Sequence, residues 1–173
     1  MDKFYTFYNK EKWNKAKKIL KQLIDENPDD DFLWTSLSSV TYELRKYKKA
    51  LQYSKKAFEL NSNSPLVLWD YASVLYVSDR DEEAREKWKK IIDYGEEKVA
   101  FLTKQGLRSA KVLVNDSRFR LGQSYFYEGN DLKAKKYFEE YMNNRKKGMT
   151  SLYKKGKVIQ YLKEIEESIA IKN

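Results

Sequence analysis

An all-α fold, built as a solenoid of stacked antiparallel helix pairs, is what this sequence predicts. Three observations carry the prediction. The 173-residue chain is rich in good helix formers and holds only two prolines and six glycines. Its apolar residues recur at helical rather than alternating spacing. Equivalent positions also return at a fixed step of 34 residues: Ala16, Ala50 and Ala84; Leu23, Ala57 and Ile91; Tyr8, Tyr42 and Tyr76. Ala134 carries a fourth copy, 50 residues after Ala84, which is one period plus 16 inserted residues.

The elements follow in order along what reads as one domain. The first copy (1–30) is cropped: KFYTFYN precedes the turn, and WNKAKKILKQLIDENP completes it. In DENPDDD (25–31), a helix ends, a turn follows, and acidic residues favour the N-terminus of the next helix. That acidic run lacks the glycine and terminal glutamate of a calcium loop. The second copy (31–64) runs WTSLSSVTYEL, then a turn at RKY, then KKALQYSKKAFEL. NSNSP closes it, and Pro65 suits the first turn of the next helix. The third copy (65–96) reads LVLWDYASVLYV, SDRD, EEAREKWKKIIDY, and the fourth (115–146) reads SRFRLGQSYFYE, GND, LKAKKYFEEYM. Between them, 97–114 is apolar enough for a helix that either lengthens the preceding one or stands alone, with Gly106 as a break. Segment 151–173 puts Val158, Tyr161, Leu162, Ile165 and Ile169 on one face, as a solvating cap helix would.

The spacing has a packing rationale. Small residues at Ser38, Ala72 and Gly122 let the first helix of a pair approach the second, where Ala50, Ala84 and Ala134 present a matching small surface. A leucine in either slot would overpack the pair by roughly 1–3 kcal/mol.

This small-then-aromatic spacing at a 34-residue period resembles the tetratricopeptide repeat. The fourth copy matches best, with Leu121, Gly122, Tyr125, Gly129-Asn130, Ala134 and Phe138. The second keeps Trp34, Leu37, Tyr47 and Ala50 but has Thr41 where an aromatic is usual. Leu68, Tyr71, Ala72, Leu75, Ala84 and Trp88 fit in the third. The first keeps Trp13, Ala16, Leu20 and Pro28, while Phe4 fills its small slot. The resemblance implies a right-handed superhelix and a non-catalytic scaffold that binds other proteins; a cytoplasmic protein is expected separately, from the lack of a signal core or a bilayer-spanning run. Its groove, lined by first helices, would take a peptide or helix of a partner.

By that resemblance, the groove slots hold Tyr5, Tyr8 and Asn9, then Thr35, Ser39, Tyr42 and Glu43, then Trp69, Ser73, Tyr76 and Val77, then Phe119, Gln123, Phe126 and Tyr127. The partner-binding set is Tyr8, Tyr42, Trp69, Ser73, Tyr76, Phe119, Gln123, Phe126 and Tyr127. Aromatics at helical spacing are more often core than contact, but an exposed tyrosine joins a large area to a polar tip. Some family members hold a partner's C-terminal carboxylate with lysine, asparagine and arginine in these slots. Here Arg120 is the one nearby cation, so apolar anchors on the partner fit better.

Composition narrows the chemistry. With no cysteine and no histidine, the chain has neither a thiol nucleophile nor the commonest general base and neutral metal ligand. No GxGxxG or GxxxxGK[ST] loop cradles a phosphate. No enzyme, metal site or cofactor is expected. The first residues, MDKFYTFYNKEKW, show no apolar signal core, and no apolar run is long enough to cross a bilayer. Net charge is +9, distributed as +4 over 1–60, −3 over 61–100 and +8 over 101–173. Such a C-terminal half suits an acidic partner, nucleic acid or an anionic surface. Its densest basic run, RKKGMTSLYKKGK (145–157), reads as a solvated loop or as a nucleic-acid patch. Lysine outnumbers arginine 28 to 7, against the arginine forks of specific phosphate recognition. Arg118 and Asp116 read as a local ion pair, or Arg118 as serving the interface with the insertion. Two other functions remain open: nucleic-acid binding by the basic half, and an immunity-type protein that binds one partner by its convex face or insertion.

Overall fold

The computed structural model describes residues 1–146 and 148–172. Lys147 of the basic run and Asn173 of the cap segment lie outside the described residues. The helices are α1 (Asp2–Tyr8), α2 (Trp13–Glu26), α3 (Asp31–Glu43), α4 (Tyr47–Leu60), α5 (Pro65–Tyr76), α6 (Asp81–Thr103), α7 (Gly106–Tyr127), α8 (Asp131–Lys146) and α9 (Lys155–Lys172). Helices packed successively in pairs make this an all-α helical solenoid. Contacts separate two compact units, Met1–Lys87 and the chain from Trp88 onward, with the boundary inside α6.

In the first unit each helix packs on the next from α1 to α5, and α3 also packs on α5. Phe4, Ala16, Leu20, Ile24, Leu33, Leu37 and Val40 form one buried cluster, so the large Phe4 helps to anchor the short α1. Local chemistry sets the helix starts. The Asp30 carboxylate accepts from Phe32 N–H (2.9 Å) and Leu33 N–H (3.3 Å), and Ser64 with Pro65 opens α5. The small slot closes as a polar contact, with Ser38 Oγ–H donating to the Ala50 carbonyl at 3.2 Å.

All four pairs turn between their helices in the same way. The N–H groups of Lys12, Lys46, Arg80 and Asn130 reach back to the carbonyls of Phe7, Thr41, Leu75 and Tyr125 at 2.9, 3.1, 3.1 and 2.9 Å. This is the six-to-one closure of a helix C-terminus, and it needs a left-handed residue just before each donor. Those residues are Glu11 (φ 53°), Arg45 (φ 56°), Asp79 (φ 58°) and Gly129 (φ 79°). Only the fourth copy places glycine there, where a Cβ would cost roughly 1–2 kcal/mol. Arg45→Gly is therefore expected to raise the unfolding free energy, by up to about 1 kcal/mol once the greater freedom of glycine in the unfolded chain is subtracted. Urea unfolding of the variant against the parent measures it, and a loss of stability would contradict the strain argument.

In the second unit, α7 packs on α8 and α8 on α9. Trp88, Ile91, Leu121, Phe138, Tyr141 and Ile165 are fully buried there. The insertion does not stand as one helix. Gly95 has non-helical dihedrals (φ 71°, ψ 172°) that divide α6, so residues 96–103 form a separate second segment of it, and 106–114 are the front of the 22-residue α7. Lys104 (φ 55°) and Gly106 (φ 79°) reverse the chain between them. From Leu107 to Leu121 there is neither glycine nor proline, so insertion and fourth repeat fuse into one helix. Across the α7–α8 joint, the group facing Gly122 is the ring of Phe138 rather than Ala134: a Cβ there would meet Phe138 Cδ1 at 2.7 Å.

Two local readings are corrected by this packing. Arg118 pairs with Glu140 (3.4 Å) rather than Asp116. Asp116 is buried and accepts from Ser151 Oγ–H and, at 3.0 Å, from Leu152 N–H. Burial raises the Asp116 pKa; those two bonds and the Arg145 cation oppose the shift without cancelling it. The described part of the basic run is accordingly tied down rather than loose. The Tyr141 hydroxyl shares its one proton between Ser151 Oγ (2.8 Å) and the Tyr153 carbonyl (3.0 Å), while Arg145 donates to the Met149 carbonyl.

Candidate functional site

Two groups of the expected contact residues exist, one in each unit. In the first unit, Tyr8, Tyr42, Trp69, Ser73 and Tyr76 are all half-buried on the first helices of their pairs. Tyr8 is fixed by Phe4 (5.5 Å between ring centroids) and by an edge contact to Trp13 (5.3 Å). Its hydroxyl lies 3.5 Å from Ser39 Oγ on α3. The Tyr42 ring packs against Tyr47 at the start of α4 (5.3 Å). The hydroxyls of Thr35 and Ser73 donate to carbonyls of their own helices, Asp31 and Trp69, at 2.7 and 2.9 Å. Their protons are thus committed, and what they add to the face is small size and an acceptor oxygen. Tyr5 is exposed, as are Asn9 and Glu43.

Between Trp69 and Ser73 stands a residue that the spacing argument missed. Asp70 is a lone carboxylate in the apolar run PLVLWDYASVLY. The residue as a whole is half-buried, yet its Oδ2 atom is fully covered and has no hydrogen-bond partner. Burial pushes its pKa from 3.8 up to about 7, against the opposing pull of a hydrogen bond with Ser38. A single acid inside an otherwise apolar helix was the signal available in the sequence.

In the second unit the expected contact residues are largely covered by the protein itself. Phe119 is 1% exposed and stacks on Tyr153 with centroids 3.8 Å apart, so it is a core side chain and not a surface one. Gln123 is also buried: its Oε1 accepts from Arg120 (2.9 Å) and its amide donates to Tyr161 O–H (3.2 Å). Phe126 lies under Tyr161 of α9 (4.7 Å), whose ring also stacks on Phe138. Tyr127 stays 64% exposed while its hydroxyl meets that of Tyr161 at 3.1 Å. Burial alone would raise the Tyr161 pKa, but bonds from Tyr127 and Gln123, with Lys157 beside it, hold the phenol below its ordinary value. The Arg120 guanidinium lies over the Trp88 ring at 4.9 Å. Covering by α9 was not readable from the repeat pattern, because α9 lies outside it.

Paired helices with small-residue joints, a recurring left-handed turn and an aromatic first-helix face define a repeat-built interaction scaffold. Family models described as tetratricopeptide repeat match residues 4–94 and 116–147, and the chain belongs to that family. Solved structures share the fold. MamA superposes with a TM-score of 0.64 at 16% identity, over 96% of this chain and 88% of MamA. A thermophilic repeat protein from Thermus thermophilus gives 0.61 at 15% identity, over 82% and 70%. A tetratricopeptide repeat protein from Parabacteroides merdae gives 0.56 at 14%, over 98% and 72%. Identities this low carry the fold and no more. Among curated proteins, no sequence matches this chain. No described helix is long and apolar enough to cross a membrane.

Proposed function

We propose that the first unit binds a peptide or helix of a partner protein across the face formed by Tyr8, Tyr42, Trp69, Ser73 and Tyr76. One observation carries this reading. Tyr42 and Tyr76 occupy the same repeat slot on α3 and α5 and stay partly exposed, whereas in the second unit Phe119 and Gln123 are buried and the half-buried Phe126 packs against Tyr161 of α9. Half-buried tyrosines are held in place by their neighbours and lose little freedom on binding, which suits them as anchors. The partner would bring apolar side chains to these rings; acidic flanks would be steered at long range by the chain's net charge of +9, of which +8 lies in 101–173 and not in the first unit. Catalysis has no part in this reading.

Selection from a phage-displayed peptide library supplies a defined probe. Selected peptides should carry apolar anchors with acidic flanks. The double variant Tyr42→Ala/Tyr76→Ala should bind them at least about tenfold more weakly, a loss near 1.4 kcal/mol, with its helical circular dichroism unchanged. Undiminished affinity in the folded double variant would exclude this face as the contact.

A further inference from the structure

The turn joining α6 to α7 displays apolar surface that neither repeat packing nor the proposed peptide face uses. It lies between the stretches matched by the family models, 4–94 and 116–147, so the repeat framework does not account for it. The turn is built rather than loose. Lys111 Nζ meets Glu96 Oε2 at 3.8 Å across the two arms, and Val99 and Ala110 are buried. Lys104 N–H donates to the Ala100 carbonyl (3.0 Å) and Gln105 N–H to Thr103 Oγ1 (3.4 Å). With those apolar positions facing inward, Phe101 is left 81% exposed, and Leu102 and Leu107 are 38% and 44% exposed. Lys98, Lys104 and Arg108 are exposed around them.

We propose that this turn is a peripheral membrane anchor: Phe101, Leu102 and Leu107 enter the interface of an anionic bilayer while Lys98, Lys104 and Arg108 lie on its headgroups. The apolar tip supplies the hydrophobic part of such binding. Long basic stems bend toward the headgroup layer as the rings go deeper, and each cation near the surface adds attraction to acidic lipid. A fluid headgroup layer asks for charge and apolar reach, which this convex tip has, and for no shaped counterpart. Beside the tip, a cavity of about 580 Å³ is lined by Arg108, Lys111, Asn144, Leu107 and Met149, with Glu96 tied to Lys111. A lining that joins two cations and an amide to the apolar Leu107 and Met149 suits a phosphodiester headgroup and its first acyl carbons. The acidic Glu97 lies one helical turn further from the tip than Phe101.

A chain of net charge +9 adheres to any acidic surface at low salt, so the test must read insertion rather than adhesion. The chain has no cysteine, so Leu102→Cys accepts a nitrobenzoxadiazole label at a unique site. With phosphatidylcholine vesicles holding about 30% phosphatidylglycerol at physiological ionic strength, the label's emission should rise and shift to shorter wavelength. Phe101→Ser should weaken co-sedimentation with the same vesicles at least about tenfold. Vesicle binding unchanged by Phe101→Ser would overturn the proposal. So would a label that stays in water while the protein sediments, or the absence of co-sedimentation.

Discussion

Gly122→Ala is expected to destabilise the unit from Trp88 onward by roughly 1–3 kcal/mol, against the usual gain from alanine in a helix. Geometry decides the sign. The new methyl would lie 2.7, 2.8 and 3.0 Å from Cδ1, Cε1 and Cγ of Phe138. A ring can step aside only where there is room, and Phe138 has none. It is fully buried, stacked on Tyr161 (5.1 Å, 11° between planes) and tilted against Phe119 (6.0 Å). Relief would therefore come from separating α7 and α8, and with them the Tyr161 contacts that hold α9. Gly156→Ala is the matched control. It sits in the first turn of α9 with nothing within 4 Å of its added Cβ, so it should stabilise, by up to about 0.5 kcal/mol at a position so near the helix end. Urea unfolding by circular dichroism, with hydrogen exchange of the α7 and α8 amides, compares the two. Equal gains from both substitutions would mean that Phe138 yields and that the joint is looser than its distances imply.

The same joint marks what could be read from sequence. Ala16, Ala50, Ala84 and Ala134 are legible because a close helix crossing tolerates only small side chains, so the constraint is written at each position separately. The turns at SDRD and GND are legible from their turn-forming residues, whereas RKY holds no helix breaker and is legible only by register with the other copies. What was missed depends on elements far apart in the chain. Asp116 has the local look of a partner for Arg118, yet its oxygens go to Ser151 and Leu152, 35 and 36 residues later. Gln123 and Phe126 occupy slots that the repeat leaves open, and Tyr161 on α9 packs on both, with Gln123 buried and Phe126 half-buried. The fate of the insertion turned on breaks at Gly95 and Gly106 and on the absence of one from Leu107 to Leu121, a weaker signal. Asp70 was passed over because periodicity sorts apolar from polar and says nothing about a single acid on a buried face.

Between about pH 4 and pH 7, stability is expected to fall as pH rises, and Asp70→Asn to remove much of that fall. In the unfolded chain Asp70 gives up its proton near 3.8; in the folded chain it holds it to about 7. Within that window the folded state binds more protons, so raising the pH favours unfolding, and the full penalty is reached above pH 7. At about 1.4 kcal/mol per unit, the shift bounds the effect near 4 kcal/mol, and roughly 2–4 kcal/mol is expected at pH 8. The direction has a structural source. Asp70 Oδ2 is buried without a hydrogen-bond partner, and Ser38, whose hydroxyl also lies 3.2 Å from the Ala50 carbonyl, offsets that burial only in part. Protonation removes the buried charge, and an asparagine is neutral at any pH. Native and variant should therefore be nearly equal at pH 4 and diverge toward pH 8, with the variant the more stable. Asp116, whose pKa burial also raises, adds a slope of the same sign in the second unit. The difference between the two proteins at each pH, rather than the native curve alone, therefore isolates Asp70. A constant difference from pH 4 to pH 8 would mean that Asp70 ionises freely in the folded protein, and that water reaches a carboxylate oxygen this packing closes off.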